Sequence, residues 1–255
     1  MTTPHPASPI LLVPGHWLGA WAWDAVTQQL RHRGLDPVPV TLPGLDPHDP
    51  DRATRTLDDQ ADALLATLRD AGVDAAHPAV VVGHSGANGP LSLLLDRHPE
   101  LVRLAIWVDS GPLSPGAVFA PDTPADLVDL PLPDFDVLAR QASLEGLDDA
   151  ALARFRAQAV PEPGPVLREP LTLHNDARRD VPTLLVCCSL TSDQVLALAQ
   201  SGQPMFAEVA ALHRVSLVDL PTGHWPQWSR PDDLAELIAS AASTKSDRLA
   251  GGALT

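Results

Sequence analysis

Short apolar runs alternate with longer stretches of helical periodicity along this chain. Ile10-Leu-Leu-Val13 reads as a first strand, after a loose stretch over residues 1–8. Trp21 to Arg33 reads as a helix ended by Gly34, and Asp36 to Leu42 as a second extended piece. Pro37 and Pro39 lack backbone donors, so that piece is expected at a sheet edge. The clearest helix follows, where Leu57, Ala61, Leu64, Leu65, Leu68 and Ala71 recur on one face. Thr56 with Asp59 has the pattern of a capping box at its start, and Gly72 stops it. Ala79 to Val82 predicts a buried strand and Asn88 to Arg97 the helix after it. Leu104 to Val108, Thr183 to Ser189 and Val215 to Leu220 read as further strands, and Asp232 to Ala241 as a closing helix with Ser229 as its candidate N-cap. Alternation of this kind predicts an α/β fold, a mostly parallel, doubly wound sheet of about six strands covered on both faces.

Residues 111–180 break the rhythm. They hold ten of the chain's 27 prolines and two amphipathic stretches, Phe135 to Leu144 and Ala150 to Val160. An insertion of that length between two strands exceeds a simple crossover. It is expected to form a helical lid over the carboxyl edge of the sheet, where open α/β sheets bind ligands. The expected organisation is a core from 9–110 and 181–242, the lid at 111–180, and flexible tails at 1–8 and 243–255.

Composition narrows the partners. The 255 residues are 45% hydrophobic, enough for one large domain with a substantial core. A formal charge of −15 argues against nucleic acid or an anionic membrane as partner and leaves a small-molecule substrate. No basic-flanked apolar leader and no long apolar span are present, so a soluble cytoplasmic protein is expected. The neighbouring Cys187 and Cys188 lie in a strand-like run, where they should point to opposite faces as reduced core residues.

The candidate chemistry begins at Ser85. The run Pro78-Ala-Val-Val-Val-Gly-His-Ser-Gly-Ala87 is an apolar strand that breaks into small residues around one hydroxyl. A sharp strand-to-helix turn of this kind exposes a nucleophile and needs small neighbours. A phosphate-binding loop would require more glycines and a lysine followed by Ser or Thr, which this stretch lacks. A serine hydroxyl needs a base, and His224 in Leu220-Pro-Thr-Gly-His-Trp-Pro-Gln-Trp228 follows the last strand at the same sheet edge. Val13-Pro-Gly-His-Trp17 follows the first strand, where the backbone amide of His16, with that of Gly86, can face a developing oxyanion. Trp17 and Trp225 are candidate pocket walls, and buried core is the alternative for Trp225.

The order of these motifs, from Pro-Gly-His-Trp through Gly-His-Ser-Gly-Ala to Gly-His-Trp-Pro, resembles the α/β-hydrolase superfamily over residues 9–242. The stretch Gly15-His-Trp-Leu-Gly-Ala-Trp-Ala-Trp23 is similar to its small esterase and hydroxynitrile-lyase branch. The resemblance implies a Ser–His–acid triad and no cofactor or metal. Ala87 stands where the family has Gly, and Pro14 where it usually has His before the loop glycine. Two residues are candidates for the acid, which must orient the histidine. Asp109 ends the strand next after the nucleophile's; Asp193 follows the strand after that but could equally open a helix at Gln194. Relatives that open epoxides or remove halogens use an aspartate at the elbow, and lyases of this branch use a lysine near the triad. Here the elbow holds Ser85, and the sole lysine is Lys245 in the tail. Acyl transfer to water remains, so a serine hydrolase of an ester, lactone or thioester is expected, working through an acyl-enzyme on Ser85. A ligand receptor, or a cofactor-free lyase or oxygenase on the same scaffold, is the alternative.

Overall fold

The computed structural model describes residues 8–244; most of both expected tails, with His5 and Lys245, lies outside that range. Six parallel strands form one sheet: β1 (Ile10–Val13), β2 (Pro37–Pro39), β3 (Ala79–His84), β4 (Val102–Val108), β7 (Thr183–Cys187) and β8 (Val215–Asp219). Their order is β2-β1-β3-β4-β7-β8, and β5 (Asp129–Leu130) pairs with β6 (Glu162–Pro163) in a separate antiparallel ribbon. The proline-bearing β2 is an edge strand, as its missing donors require.

The side-chain alternation of the strands sorts the core into two layers. Leu11, Val13, Val81, Ala105 and Trp107 face one layer, packed on Leu64 and Leu68 of helix Leu57–Asp70 and on Leu91 and Leu94 of helix Asn88–Arg97. Ile10, Leu12, Val80, Val82, Leu104, Ile106 and Val108 face the other. There they meet Val26 and Leu30 of helix Asp24–His32 and Leu234 and Ile238 of helix Pro231–Ser243. Each fully buried aliphatic side chain stabilises by roughly 2 kcal/mol, so the central strands contribute much of the apolar stabilisation. Cys187 belongs to the first layer and Cys188 to the second, both as free thiols. Burial pushes the Cys187 thiol up to about 12 and Cys188 in the same direction, so neither is a nucleophile.

Several element ends differ from expectation. The closing helix starts at Pro231, whose ring suits a first helical position, with Arg230 in the N-cap place of Ser229. Ser229 instead ends a separate short helix, Pro226–Ser229. The first insertion helix is cut to Phe135–Leu138 and the second runs Asp149–Gln158, capped by the Asp148 side chain. No helix among the described residues is long and apolar enough to cross a membrane.

The capping box predicted at Thr56 is present, with the Thr56 side chain accepting from the Asp59 amide and Asp59 accepting from the Thr56 amide. Thr56→Ala should therefore lower unfolding stability by about 1 kcal/mol in urea titrations. A loss within error of zero would show that the cap contributes nothing here.

Candidate active site

Ser85 follows the last residue of β3 and Asp109 the last residue of β4. The two strands pair with His84 opposite Val108, so the residues just beyond them emerge side by side. Both turn sharply, with φ of +51° at Ser85 and +43° at Asp109, in the left-handed region that side chains rarely adopt. The Ser110 hydroxyl donates to the Ser85 carbonyl at 2.9 Å, tying the two turns together. The loop after β1 approaches the same elbow. A Cβ placed on Gly15 would lie 2.8 Å from the Ser85 Cβ, a separation that only glycine permits.

His224 reaches this edge from the loop after β8. Its Nδ1 lies 2.6 Å from Asp109 Oδ2 and its Nε2 2.8 Å from Ser85 Oγ. An ionised carboxylate only accepts, so Nδ1 carries the proton and Nε2 offers its lone pair to the serine hydroxyl. The histidine backbone is held from two sides. Its amide donates to the Ser143 carbonyl at 2.8 Å, and its carbonyl accepts from Nε2 of His84 at 2.7 Å. Burial, then the neighbouring His224, holds the His84 ring well below its ordinary value, at about 3. His84 is therefore neutral, with Nε2–H as donor and Nδ1 facing the Gln227 amide at 3.4 Å.

Asp109 is fixed as tightly. Its Oδ1 accepts the amides of Cys188 at 3.1 Å and Ser189 at 2.8 Å, and its Oδ2 accepts the Ser189 hydroxyl at 2.6 Å. Burial alone would raise this carboxyl. The His224 hydrogen bond and charge, followed by the Ser189 donors, outweigh it and bring the group down to about 2.

Asp193 takes no part in this line. It is exposed in the first turn of helix Ser192–Gln200, which Thr191 caps in a capping box with Gln194. The dipole role considered for Asp193 is the one its position fits. Trp17 and Trp225 sit in a buried cluster with Leu18, Leu138 and Phe155, not on the wall of the cleft beside Ser85. That cleft is narrow, with about 10 Å³ of free space next to Gly86, and is walled by Leu57, Leu113, Val166 and Leu171, with His16, Asn88 and Glu169 as polar groups. Among the described residues no group of three or more His, Cys, Asp or Glu is placed to hold a metal.

Sequence reasoning missed His84, Ser143, Ser189 and Glu162, which support the line or its flanking loop. Only His84 had a signal, its place inside the elbow. The other three act through backbone groups or across long separations, which a single chain does not display.

Residues 10–237 match the Alpha/beta hydrolase family, and the chain belongs to that family. A putative chloroplastic methylesterase of Arabidopsis thaliana, number 14 of its series, is 33% identical over 107 residues, which cover 42% of this chain and 30% of that relative. The chain thus spans under a third of that relative's length. An extracellular alpha/beta-hydrolase from a Paenibacillus species superposes with a TM-score of 0.73 at 17% identity, over 93% of this chain and 100% of that one. An Arabidopsis methylesterase structure gives 0.72 at 18% identity, over 92% and 99%. Identities this low make the likeness to the solved structures one of fold.

The Asp109 geometry makes an acid-range prediction. A carboxyl depressed to about 2 in the folded chain binds protons less readily than the unfolded one. Its contribution is complete above the unfolded value near 3.8 and is lost as pH falls towards about 2. The stability difference between wild type and Asp109→Asn, from urea unfolding, should shrink through that window; a difference that stays constant would contradict the assignment.

Proposed function

We propose that this chain is a serine esterase that hydrolyses a small, largely apolar carboxylic ester through an acyl-enzyme on Ser85. The observation that carries the reading is the unbroken line of hydrogen bonds from Asp109 to His224 to Ser85, at 2.6 and 2.8 Å. In this reading His224 Nε2 takes the hydroxyl proton as Ser85 Oγ attacks the ester carbonyl carbon. The carbonyl oxygen becomes an oxyanion, and the amides of His16 and Gly86 donate to it. Collapse of the adduct breaks the bond to the alkoxy oxygen, which leaves as the alcohol with the proton held by His224. Water then attacks the acyl-enzyme with the same base, releasing the carboxylic acid and restoring Ser85. Asp109 keeps the imidazole in the required tautomer and stabilises its cation.

The lining of the cleft supports an apolar substrate. Leu57, Leu113, Val166 and Leu171 favour an apolar acyl portion, and three of those four side chains come from residues 111–180. That segment is accordingly assigned the part of a lid that sets specificity. The methylesterase relatives support a small alcohol as leaving group. Retention of both Ser85 and His224 in bonding distance favours turnover over a receptor, which needs neither.

A fluorophosphonate probe and short p-nitrophenyl esters test this directly. Wild type should be labelled and turn over, Ser85→Ala should lose both, and Asp109→Asn should lower kcat by about four orders of magnitude while remaining folded. Neither labelling nor turnover in wild type would overturn the esterase reading in favour of a receptor or a non-hydrolytic enzyme.

A further inference from the structure

The loop that carries the amide of His16 is held mainly by residues 111–180. Glu162, in β6, is 1% exposed, yet among the described residues no Lys or Arg lies within ion-pair distance of it. Its Oε2 lies 3.0 Å from Nδ1 of His16 and accepts the backbone amide of Trp17 at 3.2 Å. Two further bonds join Trp17 to the same part of the insertion. Its carbonyl accepts the Val160 amide at 3.0 Å, and its indole Nε1 donates to the carbonyl of Leu130 in β5, the residue paired with Glu162.

Trp17 has φ of +65°, so the loop keeps a backbone shape that a tryptophan does not choose for itself. Burying a carboxylate is costly unless its hydrogen bonds are made, and here they go to two consecutive residues of one loop. The His16 ring, anchored through Nδ1, lies flat against the elbow. A Cβ built on Gly86 would come 2.4 Å from its Nε2, so the ring touches the residue that supplies the second amide.

We propose that Glu162 is a positioning residue that sets the two oxyanion-binding amides, fixing the His16 loop through Trp17 and the spacing to Gly86 through the His16 ring. The inference rests on the esterase reading and deepens it. The insertion would then complete the catalytic geometry as well as wall the cleft. Glu162 touches no reacting atom in this scheme, so its removal should raise the barrier of the acylation step and leave ground-state binding of an apolar ester nearly unchanged.

Kinetics of Glu162→Ala and Glu162→Gln on a p-nitrophenyl ester provide the test. Glu162→Ala should lower kcat by about a hundredfold with KM within about threefold of wild type, the cost of losing one oxyanion donor. The glutamine oxygen can still accept both N–H groups, so Glu162→Gln should recover kcat to within about tenfold. If Glu162→Ala fails to fold, Glu162→Met, which fills the volume without an acceptor, replaces it. A folded Ala or Met variant with wild-type kcat overturns the proposal, as does a loss appearing in KM alone. A wild-type chain that neither labels nor turns over defeats the esterase reading instead. The clamp is then judged by nitrogen-15 NMR of the His16 side chain. An exchange-protected Nδ1 proton in wild type that vanishes in the Ala or Met variant supports it, and one that persists overturns it.

Discussion

The pairing register of β3 against β4 is the constraint on which the site depends. His84 lies opposite Val108, so the first residues beyond the two strand ends are a serine and an aspartate in adjacent positions. The central strands are buried on both faces by two apolar layers, and a slip of one residue would turn every side chain to the wrong layer. The hydrophobic core therefore sets the spacing between candidate nucleophile and candidate acid. The imidazole of His224 needs only to arrive between them, and its backbone is bonded on both sides, to Ser143 and to His84.

Strain is concentrated at that edge. Trp17, Ser85 and Asp109 are the non-glycine residues with positive φ among the described residues, and all three belong to the site or its flanking loop. Each such residue costs of order 1–3 kcal/mol, comparable to one or two buried aliphatic side chains. The core offsets the strain at Ser85 and Asp109, which follow fully buried strand ends. Trp17 lies four residues beyond the end of β1, and its offset comes from packing on Leu138 and Phe155 and from hydrogen bonds to Glu162, Val160 and Leu130. The two halves of the site are thus held by different parts of the chain, the strand ends by the layers of the sheet and Trp17 by contacts from residues 111–180.

This division also explains what the chain showed before folding. Strands with continuous apolar runs, the elbow at Ser85 and the loop histidine at 224 were legible because local pattern dictates them. The helix at Leu57–Asp70 carried both its periodicity and its cap. The element ends inside 111–180 were not, because prolines and short helices there take their shape from contacts with the core. The tryptophans were ambiguous for a related reason, since an apolar ring reads the same whether it meets a substrate or another ring. Trp225 meets Phe155 and Trp228. Glu162 carried no signal at all: a glutamate between two prolines looks like solvent-facing loop until its partners at positions 16 and 17 are known.

The choice between the two aspartates shows how charge settles what spacing leaves open. Asp109 and Asp193 follow neighbouring strands, and each could be imagined reaching the histidine. The end of β7, however, presents donors to the site: the Cys188 amide, the Ser189 amide and the Ser189 hydroxyl all point at Asp109. A second carboxylate brought to that point would face an existing one in a partly dry pocket, raising the energy of both anions. With Asp109 held near 2 and bonded to His224, the loop after β7 supplies hydrogen-bond donors to the acid and leaves Asp193 to the solvent and the start of its helix. One strand end carries the charge and the next one solvates it, so the imidazole finds a single, fully ionised partner on the side away from Ser85.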